Sequence, residues 1–311
     1  MNELELIARL LPDLPRNDSV VVAAGDDCAV LDLGGPEQVL FKADAVVEGV
    51  HFTAQTPPEK IGRKALARCL SDIAAMGGKA NSALITLALP KDFDPARVES
   101  IYAGLNALAA EHGVAIVGGE TTTNPGQVLL SIALLGTVER GKAVLRSGAK
   151  AGDAIFVSGR LGGSMQGRHL EFEPRLSEAR WLVKHFHPHA MIDLSDGLAG
   201  DLRHILEVSQ VGAELLGAAI PISRAAKLAA RAELSAKPPL LAALTDGEDF
   251  ELLFTLASRQ AVPLMDAWKQ QFPDLPLTCI GRITAQPGLR LHDKGGVRVL
   301  HAHGYTHFEE S

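Results

Sequence analysis

The chain has 311 residues, of which 47% are hydrophobic, and a formal net charge of −7. That length and apolar content allow a large core or two domains, while the acidic balance argues against a general nucleic-acid surface. Cys28, Cys69 and Cys279 are too few and too far apart for a disulfide framework or a zinc knuckle, and they read as reduced core residues of a cytosolic protein.

The first residues, Met1 to Ile7, are acidic and lack the basic start of a signal peptide; Leu4, Ile7 and Leu11 fit one face of a short helix instead. Val20–Ala24, Ala29–Leu33 and Val39–Val47 are β-rich runs between Gly and Asp turns. A helix is expected from about Glu59 to Met76, with Ile61, Ala65, Cys69, Ile73 and Met76 at helical spacing and Gly77-Gly78 as its stop. Ala83–Leu89 is the next strand. Asp94-Pro95 opens a second helix, carried by Val98, Ile101, Leu105 and Leu108 to Gly113, and Val114–Val117 and Val128–Val138 complete a sheet. The apolar stretch Val128–Leu135 falls far short of a membrane span, so a soluble, cytoplasmic protein without a membrane partner is expected.

The turn-rich stretch from Glu139 to Asp153 marks the best boundary, between domains at 1–140 and 141–311. Beyond it, Ala154–Ser158, Met191–Leu194, Phe250–Thr255 and Thr278–Ile283 read as strands. Helices are expected at Leu176–Phe186 and after Gly197. Strands and helices are grouped rather than strictly alternating, which favours two α+β domains over a doubly wound sheet.

Seven carboxylates stand in short Gly- or Ser-flanked clusters: Asp26, Asp27, Asp44, Asp72, Glu120, Asp193 and Asp196. Most lie in apolar sequence, where an isolated carboxylate is costly to bury. Acids gathered against that cost share a hard cation, because Mg²⁺ prefers carboxylate oxygen and water. Asp72 lies on the apolar side of its helix with Arg68 beside it, so it is either a boundary carboxylate paired with Arg68 or a ligand facing a cleft. Gly25-Asp26-Asp27 alone is a common turn, and Ser195 or Asp196 alone is a helix cap; Asp193, inside an apolar strand, fits neither. Gly118-Gly119-Glu120 followed by three threonines could let a phosphate approach the backbone. Lys42 shares a strand face with Asp44, so its ammonium either reaches the same acidic cleft or faces solvent from an edge strand. The alternating His185, His187 and His189, and His301 with His303, read as solvated surface. The chain holds no Walker-type Gly-x4-Gly-Lys-Ser/Thr, no His-Arg-Asp and no Gly-x-Gly-x-x-Gly after a strand.

Taken together, the motifs resemble thiamine-monophosphate kinases, of the superfamily that includes aminoimidazole ribonucleotide synthetase. The matching runs are Gly25–Leu31, Val46–Phe52, Lys64–Leu66 with Leu70–Gly77, Gly118–Thr122, Arg146–Lys150, Ala190–Leu198, Gly247–Leu252 and Gly304–Phe308. The resemblance implies two PurM-like α+β domains, each a mixed or antiparallel sheet with helices. It implies ATP-dependent phosphorylation of thiamine monophosphate and a homodimer built through the N-terminal domains, the active site lying between domains. It implies Asp27, Asp44, Asp72, Glu120, Asp193 and Asp196 as ligands of several Mg²⁺ ions. Gly119, Glu120, Arg146, Ser195 and Tyr102 would contact ATP, and His51, Glu248 and Tyr305 the thiamine phosphate. The chain departs from the family pattern at Ala23, Lys42-Ala43, Glu120, Thr123 and a short segment from Leu161 to His189. Selenophosphate synthetase and the hydrogenase-maturation dehydratase share the acidic motifs but use a reactive cysteine near one terminus, where this chain has none. A Mg-nucleotide-binding protein without catalysis is the remaining alternative.

Overall fold

In the computed structural model, residues 3–232, 237–301 and 304 are described. After α1 (Glu3–Leu10), the short strands β1 (Val20–Val22) and β2 (Ala29–Leu31) lead into the long β3 (Glu37–Val47). Helix α2 (Pro58–Ala75), β4 (Lys79–Leu89), α3 (Pro95–His112), β5 (Ala115–Thr123) and β6 (Leu129–Glu139) follow. These strands form one sheet in the order β1-β2-β3-β6-β4-β5, antiparallel except for the β4–β5 pair.

Period-two alternation sorts the long strands into two faces. Leu40, Val46, Ile85, Leu130, Ile132 and Leu134 turn inward and are buried. The opposite face carries Phe41 and Leu135, which are register partners, with Leu84 opposite Ala133 in a nearby row. Phe41, Leu84 and Leu135 remain between 40% and 48% exposed. Helix α2 and α3 approach closely, because a Cβ on Gly62 would sit 1.9 Å from the Ile101 carbonyl and one on Gly104 1.9 Å from that of Glu59. Side chains at those two points would force the helices apart.

The second half begins with β7 (Asp153–Ser158), α4 (Leu176–Phe186), β8 (Ala190–Asp193), α5 (Leu198–Ser209) and β9 (Gly212–Leu216). It continues through α6 (Arg224–Arg231), α7 (Pro239–Thr245), β10 (Leu252–Ala257), α8 (Ala261–Gln271), β11 (Leu277–Thr284), β12 (Gly288–Asp293) and β13 (Gly296–Val299). Its sheet runs β13-β12-β9-β11-β7-β10-β8 and is mixed, since β12 pairs with β9 in parallel. Every residue of β7 and β8 is buried, so these read as continuous apolar runs and not as alternating strands. One core cluster runs unbroken from Leu40 and Ile132 of the first sheet through Ile73 of α2 to Phe156 and Phe254 of the second. A second cluster lies on the far face, beneath α5. The two-sheet α+β architecture is the one expected.

Two local readings are corrected. Strand β5 does not end at Val117 but runs on through Gly118–Thr123, as an edge strand paired in parallel with β4 on one side. Lys42 does not sit on an edge strand: β3 is flanked by β2 and β6. Strands β9, β12 and β13 and helices α6 to α8 are further elements beyond those the sequence pattern marks. Two of the alternating histidines find ordinary partners, His189 Nδ1 lying 2.8 Å from an Asp153 oxygen and His185 Nδ1 2.8 Å from the Trp181 carbonyl, while His303 lies outside the described residues.

Candidate active site

Helix α2 places Lys64, Arg68 and Asp72 one turn apart along a single row, facing the inner side of β3. Alternation along β3 puts Lys42 and Asp44 on that same side. The two rows interlock: Lys42 Nζ lies 2.9 Å from Asp72 Oδ1, and Arg68 Nε lies 2.9 Å from Asp44 Oδ2. Asp72 therefore pairs with Lys42 and not with its helix neighbour Arg68.

Opposite this wall stands the segment Gly247–Glu251. Glu248 and Phe250 have φ of 61° and 48°, a left-handed backbone that non-glycine residues occupy at a cost of about 1–3 kcal/mol each. The surroundings over-determine it. The N–H of Glu248 donates to the Ser195 carbonyl, the N–H of Phe250 to that of Leu194, and the Phe250 ring stacks on Phe172 with centroids 3.9 Å apart. The strained turn aims the Glu248 carboxylate back across the cleft. There it accepts from Lys64 Nζ at 2.5 Å and from Arg68 Nη1 at 3.1 Å. The fully buried Lys64 also donates to the His51 carbonyl at 2.7 Å, tying the loop after β3 to the same point.

Three carboxylates from three places meet deeper in. Asp27, between β1 and β2, Asp72 on α2 and Asp193 at the end of β8 each bring an oxygen within 4.8 Å of the others. Ser71 Oγ donates to Asp193 Oδ2 at 2.6 Å, and Arg146 Nη2 donates to Asp27 Oδ1 at 2.6 Å. The other Asp27 oxygen is buried and has no hydrogen-bond partner among the described residues. A buried, unanswered carboxylate oxygen beside two more carboxylates suits a hard divalent cation. These three residues fit one.

The cleft between these walls has a volume of about 490 Å³ and is also lined by Ser195, Asp196 and Met165. Its electrostatics differ from place to place. Burial alone would lower the Lys42 and Arg68 pKa values, but Asp72 and Asp44 outweigh it, so both stay firmly protonated. Burial raises the Asp44 carboxyl, yet Arg68 and Lys42 more than offset it and hold it below its ordinary value. His51 is pushed down to about 4 by burial and by Arg68, and its Nδ1 accepts from the Val47 N–H, so the ring is neutral at physiological pH. Asp193 is pushed up to about 6 by burial and by the neighbouring Asp27 charge.

The structure thus brings together Asp27, Asp44, His51, Asp72, Arg146, Asp193, Ser195, Asp196 and Glu248. It leaves three others aside. Gly119 and Glu120 lie on β5, three strand spacings from β3, along the register row Asp44–Ile132–Ile85–Gly119, or about 14 Å. Gly119 has a packing reason of its own, since a Cβ there would lie 1.8 Å from the Ile85 carbonyl. Tyr102 sits on α3, packed against the core and not in the cleft lining. Tyr305 lies outside the described residues.

Residues 25–138 match the family model for the N-terminal domain of AIR synthase related proteins. Over 87% of its length the chain is 41% identical to the thiamine-monophosphate kinase of Rhodopirellula baltica, 85% of which is covered. The chain belongs to the thiamine-monophosphate kinase family. The Bacillus subtilis member is 33% identical across 99% of this chain and 100% of its own length. The solved complex of AaThiL with AMPPCP and TMP superposes with a TM-score of 0.81 at 30% identity, covering 99% of this chain and 97% of that one.

Against that family background, Arg68, Lys64, Ser71 and Asp201 are site residues whose roles the sequence did not reveal. Asp201, on α5, accepts from the backbone N–H groups of Asp196 and Gly197 at 3.1 and 3.0 Å and so fixes the turn that follows β8. The i, i+4 row Lys64–Arg68–Asp72 was the available signal, but its partners are 13 to 184 residues away and invisible to helical spacing.

Proposed function

We propose that this chain transfers the γ-phosphoryl group of ATP to thiamine monophosphate, giving ADP and thiamine diphosphate. The observation that carries the reading is the cleft itself, where acids and bases from both halves converge in a chain of this family. The named activity of the relatives and the AMPPCP and TMP bound by AaThiL support it.

Joining two phosphates brings many negative charges together, so catalysis is chiefly positioning and electrostatic screening. Asp27, Asp72 and Asp193 would hold Mg²⁺, with Asp196 beside them; bound there, the ion supplies charge neutralisation and alignment of phosphate oxygens. Arg146 and Ser195 stand at the ATP side. His51 and Glu248 mark the acceptor side, where Glu248 can balance a thiazolium cation. The acceptor is a phosphate monoester, largely ionised at neutral pH, so no general base is required and transfer is direct. Tyr305 is proposed for the acceptor, and Gly119, Glu120 and Tyr102 for the nucleotide. The halves 1–140 and 141–311 act as the two jaws of the cleft.

A second copy of the chain is the proposed cover for the outer face of the first sheet, where Phe41, Leu84 and Leu135 are exposed. No described helix is long and apolar enough to cross a membrane, and a cytoplasmic site of action fits the reading.

The deciding assay is ADP formation that depends on thiamine monophosphate and Mg²⁺. ADP release indifferent to thiamine monophosphate would exclude this acceptor. Asp72→Asn, which keeps shape and removes charge, should abolish most of the activity while the circular dichroism spectrum is retained.

A further inference from the structure

The acids of this cleft are not equivalent. Asp44 is held by Arg68 through Nε at 2.9 Å and Nη2 at 3.4 Å, and the same guanidinium reaches Glu248 at 3.1 Å. One oxygen of Asp72 is taken by Lys42 at 2.9 Å. Both cations are well sheltered, with side chains 16% and 23% exposed, and both line the cavity. A divalent ion bound to Asp44 would have to approach within a few ångströms of the guanidinium, with little water to screen the repulsion. Asp27 differs in one respect: it is only 2% exposed, Arg146 takes one of its oxygens at 2.6 Å, and the other oxygen has no hydrogen-bond partner among the described residues.

We infer that Arg68 and Lys42 are resident cations of the phosphate site, that Asp44 serves to hold Arg68 and not a metal, and that the protein itself binds one divalent ion, at Asp27, Asp72 and Asp193. Two protein charges then do the screening that further metal ions would otherwise supply. They differ from ions in being permanently present and fixed in position. Arg68 spends three N–H groups on Asp44 and Glu248, which leaves two of its five to meet an anionic oxygen in the cleft. Since the guanidinium bridges Asp44 and Glu248, that anion is the acceptor's phosphate. Arg68 is thus a substrate-binding residue, and this last step rests on the kinase reading.

The ion count can be measured without turnover, by titrating the nucleotide-free protein with Mn²⁺ and following free Mn²⁺ by electron paramagnetic resonance. One tightly bound ion per chain is expected. Asp27→Asn should lose it, whereas Asp44→Asn should keep it. Two or more tight ions in the unmodified protein, or loss of an ion in Asp44→Asn, would overturn the inference. Because Arg68→Met strips the buried Asp44 carboxylate of its guanidinium and risks the fold, Arg68→Lys serves as the second probe. It should raise the KM for thiamine monophosphate about tenfold or more, with kcat and the KM for ATP changed less than threefold. Equal changes for both substrates would remove Arg68 from the acceptor site. If the protein shows no kinase activity at all, the function fails and the single-ion count still stands or falls by itself.

Discussion

The two ends of the cleft solve the problem of buried charge in opposite ways. At the acceptor end, Asp44 and Glu248 are answered by Arg68 and Lys64, all four positioned by α2, β3 and the strained turn at Glu248. At the other end Asp27, Asp72 and Asp193 crowd together with one oxygen left unanswered. An end completed by its own ion pairs is preorganised and loses stability when a charge is removed. An end with excess negative charge is destabilised until a cation arrives, so removing a charge there relieves the fold and harms only function.

The largest stability effect should come from the completed end. Lys64→Met strips a fully buried partner from Glu248, and breaking such a pair costs about 3–5 kcal/mol. Urea unfolding measures it; a loss under about 1 kcal/mol would mean that Arg68 alone satisfies Glu248 and that the contrast between the ends is overstated.

Asp193→Asn tests the other end with the opposite sign. The Asp193 carboxyl sits at about 6 against an ordinary 3.8, so ionising it costs the metal-free fold stability, and above that pH the cost applies in full. Metal-free stability at pH 8 should rise by about 1 kcal/mol, while kcat falls by about a hundredfold or more as a metal ligand is lost. Thermal unfolding and steady-state rates read the two changes separately, and a fall in both would show an ordinary structural acid.

Lowering the pH should trouble the acceptor end through His51, whose folded value of about 4 lies below the ordinary 6.5. The unfolded chain takes up the proton first, so this contribution to stability is whole above about 6.5 and declines as the pH drops toward 4. His51→Gln should flatten that part of the stability–pH curve; an unchanged slope would assign the acid sensitivity to other groups. The smallest effect is expected for Ser71→Ala, which removes the 2.6 Å bond to Asp193 at a cost of about 1–2 kcal/mol. Because the freed Asp193 still faces a cation site, excess Mg²⁺ should recover most of that loss.

Local pattern along the chain carries a good deal. Helical spacing marked α2 to within a residue or two, Asp94-Pro95 marked the start of α3, and the placing of Asp72 on an apolar helix side and Asp193 in an apolar strand marked them as unusual acids. Those signals are local, set by backbone periodicity and the cost of burying charge, and they survive folding unchanged. The ordered run of motifs carried the family. Tertiary structure alone decided the pairing. Asp72 found Lys42, 30 residues away, and Arg68 found Glu248, 180 residues away, although Arg68 and Asp72 are neighbours on one helix. Nor does spacing say that Gly119 and Glu120 would end on a sheet edge three strands from Asp44. Periodicity assigns a side chain to a face of its own element, but which charge lies opposite depends on strand order and on how the two halves close. The chemistry of this cleft is set by those opposing charges.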